Sequence, residues 1–271
     1  MVRSEIARYI LEALNKAGGR LKECYQESGR ISHFYIDDLL PRELAIKIYE
    51  AFPASNEMVR KKSLREYKYI AAQMDNYDPI LEEAIYAFQD DSVVRKIGDL
   101  VGAEKLMPDE NLYAGGISLM RKGNYLNPHL DNSHDKDRVN WRAFNLLYYV
   151  TPGWELSDGG NLELWPSGPT LLDDRIVIES KFNRLAVMVT HNESWHSVSP
   201  VVADKNRCCV SNYYFSKTPM QSSDSFHVTS FRGRPEQRIR DIALRADIRT
   251  RSAIRKVFKK GIVENPHVYK K

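Results

Sequence analysis

A chain of 271 residues with 42% hydrophobic and 28% charged positions can bury one sizeable core and has the composition of an ordinary globular protein. No apolar run approaches the roughly 20 residues that span a bilayer, and residues 1–6 hold no continuous apolar stretch of a signal peptide, so no membrane partner is expected. The three cysteines, Cys24, Cys208 and Cys209, make no disulfide framework, and reduced thiols in a cytoplasmic protein are the expectation.

The net charge of +4 is unevenly spread. Residues 231–271 hold 13 Lys and Arg against 4 Asp and Glu, a net of +9, which leaves −5 (27 against 32) on the rest. Such a tail can attract an anionic partner or be a solvated helix face. No aromatics interleave its basic residues to stack bases, so a nucleic-acid partner is not expected. The oligomeric state is left open.

Residues 5–27 read as helix, with Ile6, Ile10 and Leu14 at helical spacing and an interruption at Gly18-Gly19. Residues 31–36 read as a short strand. A helix follows with Pro41 in its first turn and Leu44, Ile48 and Phe52 as its apolar stripe. The polar, basic stretch 55–78 carries Arg60, Lys61, Lys62, Arg65 and Lys68 and reads as a long, lid-like loop. Helices are expected over 79–90 and 91–101, the second capped by Asp91 or Ser92.

After Pro108 the texture changes. Segments 112–121, 142–150, 161–165, 176–179, 184–190 and 207–215 are short, rich in β-branched and aromatic residues, and separated by turn residues. Residues 231–260 return to helix with Ile239, Ile242, Ala246, Ile254 and Val257 as its apolar face. The pattern predicts an α+β single domain over 1–271. Its parts are a mainly helical buttress (1–108), a jelly-roll core (109–218) and a basic helical extension (219–271).

The chemistry centres on Asn127-Pro128-His129-Leu130-Asp131-Asn132. Two residues apart on an extended segment, His129 and Asp131 point to one face. A second His would complete the two-His, one-carboxylate set that leaves half of an octahedral metal open, the pattern of non-haem Fe(II) oxygenases. His196 is the preferred third ligand and His191 its rival. His134 and Asp137 are weaker rivals for the first pair, because they sit in a loop-like polar segment.

Arg207 follows His196 by eleven residues on a strand whose alternation puts Arg207, Cys209, Ser211 and Tyr213 on one face. A buried guanidinium needs an anion. A cosubstrate carboxylate is one candidate; Asp173, Asp174 or Asp204 in an internal ion pair is the other. On the strand at 145–149, Asn145, Leu147 and Tyr149 share parity and can line the same pocket, and Tyr149 can donate its hydroxyl to the same carboxylate. Asn132, Ser133 or Asn145 can support Asp131.

With those residues in place, the chain resembles the Fe(II)/2-oxoglutarate-dependent dioxygenases, in their prolyl 4-hydroxylase-like branch, over about 113–215. The motif His129-x-Asp131…His196…Arg207 carries the resemblance. So do Asn145-Leu-Leu-Tyr-Tyr-Val, Gly159-Gly160-Asn-Leu-Glu-Leu-Trp165-Pro166 and Phe182-Asn183-Arg184-Leu185. It implies a double-stranded β-helix, a cupin-like barrel buttressed by N-terminal and C-terminal helices. His129, Asp131 and His196 would hold Fe(II), and Arg207 and Tyr149 the distal carboxylate of 2-oxoglutarate, with Asn145, Leu147 and Ser211 lining its pocket. It also implies O2 as co-reactant, release of succinate and CO2, and ascorbate as a candidate reductant. A retained Asp131 favours hydroxylation over halogenation. The resemblance does not reach the substrate: a small molecule, a sugar or a peptide, with an anionic one suggested by the 55–78 stretch. The competing readings are a cupin-type metalloenzyme that does not use 2-oxoglutarate, and a non-catalytic binding module with a vestigial site.

Overall fold

The structure, a computed structural model, describes residues 3–113, 115–257 and 269. Helices α1 (Arg3–Lys16) and α2 (Gly18–Glu27) bury Ile6, Ile10, Leu14 and Leu21. The chain breaks at Ala17, one residue earlier than expected, and Gly18 and Gly19 are themselves helical. After β1 (His33–Ile36), α3 (Arg42–Glu50) starts on Pro41, which is the capping residue rather than part of the first turn. Then come β2 (Val59–Lys62), β3 (Glu66–Ala71), α4 (Pro79–Ala87) and α5 (Asp91–Val101). The cap of α5 is Asp90, one residue before the expected pair; its carboxylate accepts from the Ser92 amide.

The strand region comprises β4 (Met107–Pro108), β5 (Gly116–Met120), β6 (Tyr125–Leu130), β7 (Trp141–Tyr149), β8 (Leu162–Leu164), β9 (Ile176–Ile178), β10 (Arg184–Val189), β11 (His196–Val198), β12 (Arg207–Ser216) and β13 (Ser230–Phe231). The helix α6 (Arg238–Val257) closes the described chain. The antiparallel order is β1-β10-β7-β12-β5-β3-β6-β11-β8-β9, with β13 on β6, β2 on β3 and β4 on β12. The path curls on itself, so that Asn145 of β7 reaches Asp131 just beyond β6. This is the expected double-stranded β-helix with flanking helices.

Alternation on β12 sorts its side chains. Arg207, Cys209, Ser211 and Tyr213 face the interior cavity. Cys208, Val210 and Tyr214 are buried outward in the large core shared with the helices. The Tyr214 hydroxyl donates to the Phe88 carbonyl, and Phe88 packs on Tyr148 with ring centroids 5.7 Å apart. Here α1, α4 and α5 pack together, so the helical half supplies the apolar support that the outer sheet face requires.

Two expectations are corrected. The stretch 55–78 is not a long loop: most of it is the β2–β3 hairpin, and β3 pairs with both β5 and β6. Its polar character misled because one side of the hairpin faces solvent and the other a cavity lined partly by charged groups. The stretch from Phe231 does not begin as helix: Phe231 lies in β13, and α6 starts at Arg238. Ile239 and Ile242, expected on its apolar face, are 86% and 69% exposed, Ala246 is exposed as well, and Leu244 is the buried anchor. The side chains of Ile254 and Val257, and most of the basic tail beyond them, lie outside the described residues. No described helix is long and apolar enough to cross a membrane.

Candidate metal and cosubstrate site

His129 is the penultimate residue of β6 and His196 the first of β11; the two are register partners on adjacent strands. That pairing brings the imidazoles to a centroid separation of 4.1 Å. Asp131, one residue past β6, completes the cluster: His129 Nε2 lies 3.8 Å from its Oδ1 and His196 Nε2 3.7 Å from its Oδ2. One donor atom from each of the three lies within 4.8 Å of the others.

The backbone fixes both ring orientations. Nδ1 of His129 faces the Asn127 carbonyl at 3.0 Å, and Nδ1 of His196 the Ser194 carbonyl at 2.9 Å. With Nδ1–H donating to a carbonyl, Nε2 carries the lone pair, and both lone pairs point into the cluster. Phe231 of β13 stacks on His129, 5.1 Å away at 14°, and holds the ring from the other side.

Asp131 is held from behind. Asn145 Nδ2 donates to its Oδ2 at 3.0 Å, and the buried guanidinium of Arg142 lies 3.2 Å from the same oxygen. Burial alone would raise this carboxyl, but Arg142, the two imidazoles and the Asn145 amide hold it well below the usual carboxylate range. It therefore stays an anion, ready to ligate. Of the supports expected for Asp131, Asn145 is in contact. Asn132 instead accepts from Arg142, and Ser133 bonds to His134 and the His227 carbonyl. Arg142 was not anticipated: at the polar entry to β7 nothing in the sequence separates it from a surface arginine.

The rivals fall away on geometry. Both ring nitrogens of His191 engage the backbone, at the Arg30 carbonyl and the Glu193 amide. His134 bonds to Ser133 and packs on Trp141, and Asp137 belongs to no metal-type cluster among the described residues.

His129 is pushed down to about 3, first by burial and then by the neighbouring His196. An unfolded histidine titrates near 6.5, so below that pH the unfolded chain takes up a proton that the folded chain refuses. The metal-free protein should therefore lose stability as pH falls from about 6.5 towards 3. For this one group the loss is on the order of 2 kcal/mol by pH 5. Urea unfolding at pH 7 and pH 5 reads it, and His129→Gln should flatten the dependence.

A cavity of about 570 Å³ opens in front of the cluster, lined by the inner faces of β3, β5, β6, β7 and β12. Leu147 and Ser211 line it, and Arg207 stands at one end. Arg207 Nε donates to Ser180 Oγ at 3.0 Å, and its guanidinium sits over the Tyr149 ring, 4.8 Å from the centroid. The alternative partners, Asp173, Asp174 and Asp204, are not there: Arg207 is 3% exposed and has no carboxylate within ion-pair distance among the described residues. Tyr149 lies behind it, fully buried, and its hydroxyl, beside Ser180 and Arg207, makes no hydrogen bond of normal geometry. A buried cation without an anion and a buried hydroxyl without a partner, side by side, are the features a bound carboxylate would satisfy.

The double glycine has a steric reason. Gly160, at φ +64°, leaves room for Arg207: a Cβ there would meet the arginine Cδ at 2.7 Å. At Gly159, φ +73°, a Cβ would stand 2.1 Å from the Pro200 carbonyl oxygen. Gly160→Ala should therefore displace Arg207 and weaken 2-oxoglutarate binding by about tenfold or more while the protein remains folded. Calorimetric titration of that variant measures it.

Residues 115–215 match the family model of the 2OG-Fe(II) oxygenase superfamily. No curated protein matches the sequence. Among solved structures, a prolyl 4-hydroxylase from Phytophthora capsici superposes with a TM-score of 0.54 at 17% identity, covering 91% of this chain and 80% of that one. A prolyl-4-hydroxylase from Pseudomonas putida gives 0.52 at 18% identity, covering 73% and 100%. The non-haem alpha-ketoglutarate-dependent epimerase SnoN from nogalamycin biosynthesis gives 0.52 at 14% identity, covering 82% and 87%. At these identities the likeness is one of fold. The superfamily uses Fe(II) and 2-oxoglutarate. The residues present suit both: two outward-facing imidazole lone pairs and an ionised carboxylate for the metal, and the unpaired Arg207 beside Tyr149 for a carboxylate.

Proposed function

We propose that this chain, whose residues 115–215 match the family model of the 2OG-Fe(II) oxygenase superfamily, is an oxygenase of that kind and hydroxylates a C–H bond of a substrate held in the 570 Å³ cavity. The observation that carries this reading is the pairing of the His129–Asp131–His196 cluster with an anion-free Arg207 in one enclosure. Bound Fe(II) and 2-oxoglutarate would supply the O2-dependent oxidation, 2-oxoglutarate leaving as succinate and CO2, with ascorbate available as reductant.

The chain's own residues bind, orient and exclude water. His129, Asp131 and His196 would hold the metal through two imidazoles and one carboxylate. Arg207 and the Tyr149 hydroxyl receive the distal carboxylate, and Ser180 fixes the guanidinium in place. Leu147, Met120, Leu162 and Val198 form apolar walls that keep water from the reacting carbon. With Asp131 retained as a carboxylate that would ligate the metal, oxygen transfer is favoured over halogenation.

A cupin-type enzyme without 2-oxoglutarate would leave Arg207 buried and unpaired, a desolvation cost with no return. Anaerobic loading with Fe(II) and 2-oxoglutarate, followed by admission of O2 and measurement of succinate across candidate metabolites and peptides, tests the proposal. Succinate release that needs both iron and 2-oxoglutarate is expected; no release with both present, or release that persists with either omitted, would sink it.

A further inference from the structure

The cavity lip carries a charge arrangement that neither metal nor cosubstrate uses. Lys61 of β2 and Lys68 of β3 are direct cross-strand partners, and both line the cavity. Like charges opposite one another destabilise a strand pair unless something neutralises them. One carboxylate is at hand: Glu66, two residues along β3 and on the same face, forms an ion pair with Lys68 at 3.0 Å. Lys61 has no acidic side chain within ion-pair distance among the described residues, and the third lip cation, Arg65, is already paired with Asp247 of α6. Strand alternation sends Lys62 to the opposite face, over the Tyr67 ring. The lip therefore faces the cavity with two ammoniums and one carboxylate.

The position is informative. Lys61, Glu66 and Lys68 line the same cavity as His129, Asp131 and His196 and are all only partly exposed, so they look into the reaction chamber. Arg207 stands on β12, opposite Met120 of β5, and is assigned to the cosubstrate. The lysines stand on β2 and β3, the hairpin that forms the lip. A molecule anchored on them would share the cavity with the His129–Asp131–His196 cluster.

Resting on the oxygenase reading of this cavity, we propose that the substrate bears an anionic group, a carboxylate or a phosphate, that docks between Lys61 and Lys68 and so presents a neighbouring C–H to the metal. Glu66 then acts as a positioning residue that holds Lys68 extended across the lip. The surplus positive charge also draws an anion towards the mouth before contact.

The test uses the full chain loaded with Ni(II) and 2-oxoglutarate, which occupies the Arg207 end and permits no turnover. Calorimetry first measures 2-oxoglutarate binding; then inorganic phosphate and acetate are titrated in separate arms, with ¹³C-methyl-labelled lysines read by NMR. Saturable shifts of the Lys61 and Lys68 signals are expected from at least one anion. Lys61→Gln and Lys68→Gln should each weaken that anion about tenfold, Lys62→Gln should not change it, and 2-oxoglutarate affinity should stay as in the parent. Phosphate alone, acetate alone or both saturating at these lysines supports the proposal and names the group. No saturable shift, or equal loss in Lys62→Gln, overturns it. So does a loss of 2-oxoglutarate binding in Lys68→Gln, which would assign that lysine to the cosubstrate. Failure of the parent chain to bind 2-oxoglutarate at all sinks the oxygenase reading and the docking proposal together, whereas normal binding with silent lysines sinks only the latter.

Discussion

Asp131→Ala is expected to abolish Fe(II)-dependent turnover and, separately, to destabilise the metal-free protein. The first effect follows from loss of the one anionic donor among the three. The second follows from Arg142, a buried guanidinium that lies 3.2 Å from Asp131, its one carboxylate partner among the described residues, with the Tyr213 ring at 4.4 Å and the neutral Asn132 side chain beside it. Removing one partner of a buried pair strands the other charge, at about 3–5 kcal/mol. Denaturant unfolding of the apo protein measures this. His196→Ala removes a metal donor but strands no charge and should cost less, so the difference between the two variants isolates the Arg142 contribution. A stranded cation also invites a replacement anion. In Asp131→Gly, chloride should raise the melting temperature well beyond its effect on the parent, because the vacated space faces the Arg142 guanidinium. Equal chloride responses would mean that the arginine has found another partner.

Arg207→Ala is the second large effect. The guanidinium is nearly fully buried, is placed by Ser180 and Tyr149, and has no acid within ion-pair distance among the described residues. Truncating one side of a buried, hydrogen-bonded charge pair costs ~2–5 kcal/mol, which is about 30-fold to a few thousandfold in 2-oxoglutarate affinity. Metal affinity should be untouched, because the arginine touches none of the three donors. Lysine at this position restores charge but not the planar fork, so Arg207→Lys should recover only part of the loss. Unaltered 2-oxoglutarate dependence in Arg207→Ala would remove the residue from the site.

The site was legible where local rules govern. His129 and Asp131 share a face because alternation is a property of the extended chain itself, and the same rule placed Arg207, Cys209, Ser211 and Tyr213 along one wall. Three features were not legible. The β2–β3 hairpin hides in a run of charged residues because one side of it faces solvent and the other a cavity lined partly by charged groups, so the apolar alternation that marks a strand is missing. Arg142 and Phe231 reach the site through tertiary placement, one at the entry of β7 and the other from a two-residue strand, too short to leave a pattern. On α6 the hydrophobic period was visible but not its phase, which tertiary contact sets: Leu244 packs inward while Ile239 and Ile242 face solvent. Choosing His196 over His191 needed the long-range pairing of β11 with β6, which sequence spacing could only suggest.

The most direct measurement is Fe(II) binding, under anaerobic conditions, to the parent chain and to a set of single alanine variants. Tight binding of a single ion is predicted for the parent, with comparable collapse in the variants at His129, Asp131 and His196 and parental affinity in those at His191 and His134. Retained binding after loss of His196, or collapse on loss of His191, would contradict the convergence of β6 and β11 on one metal.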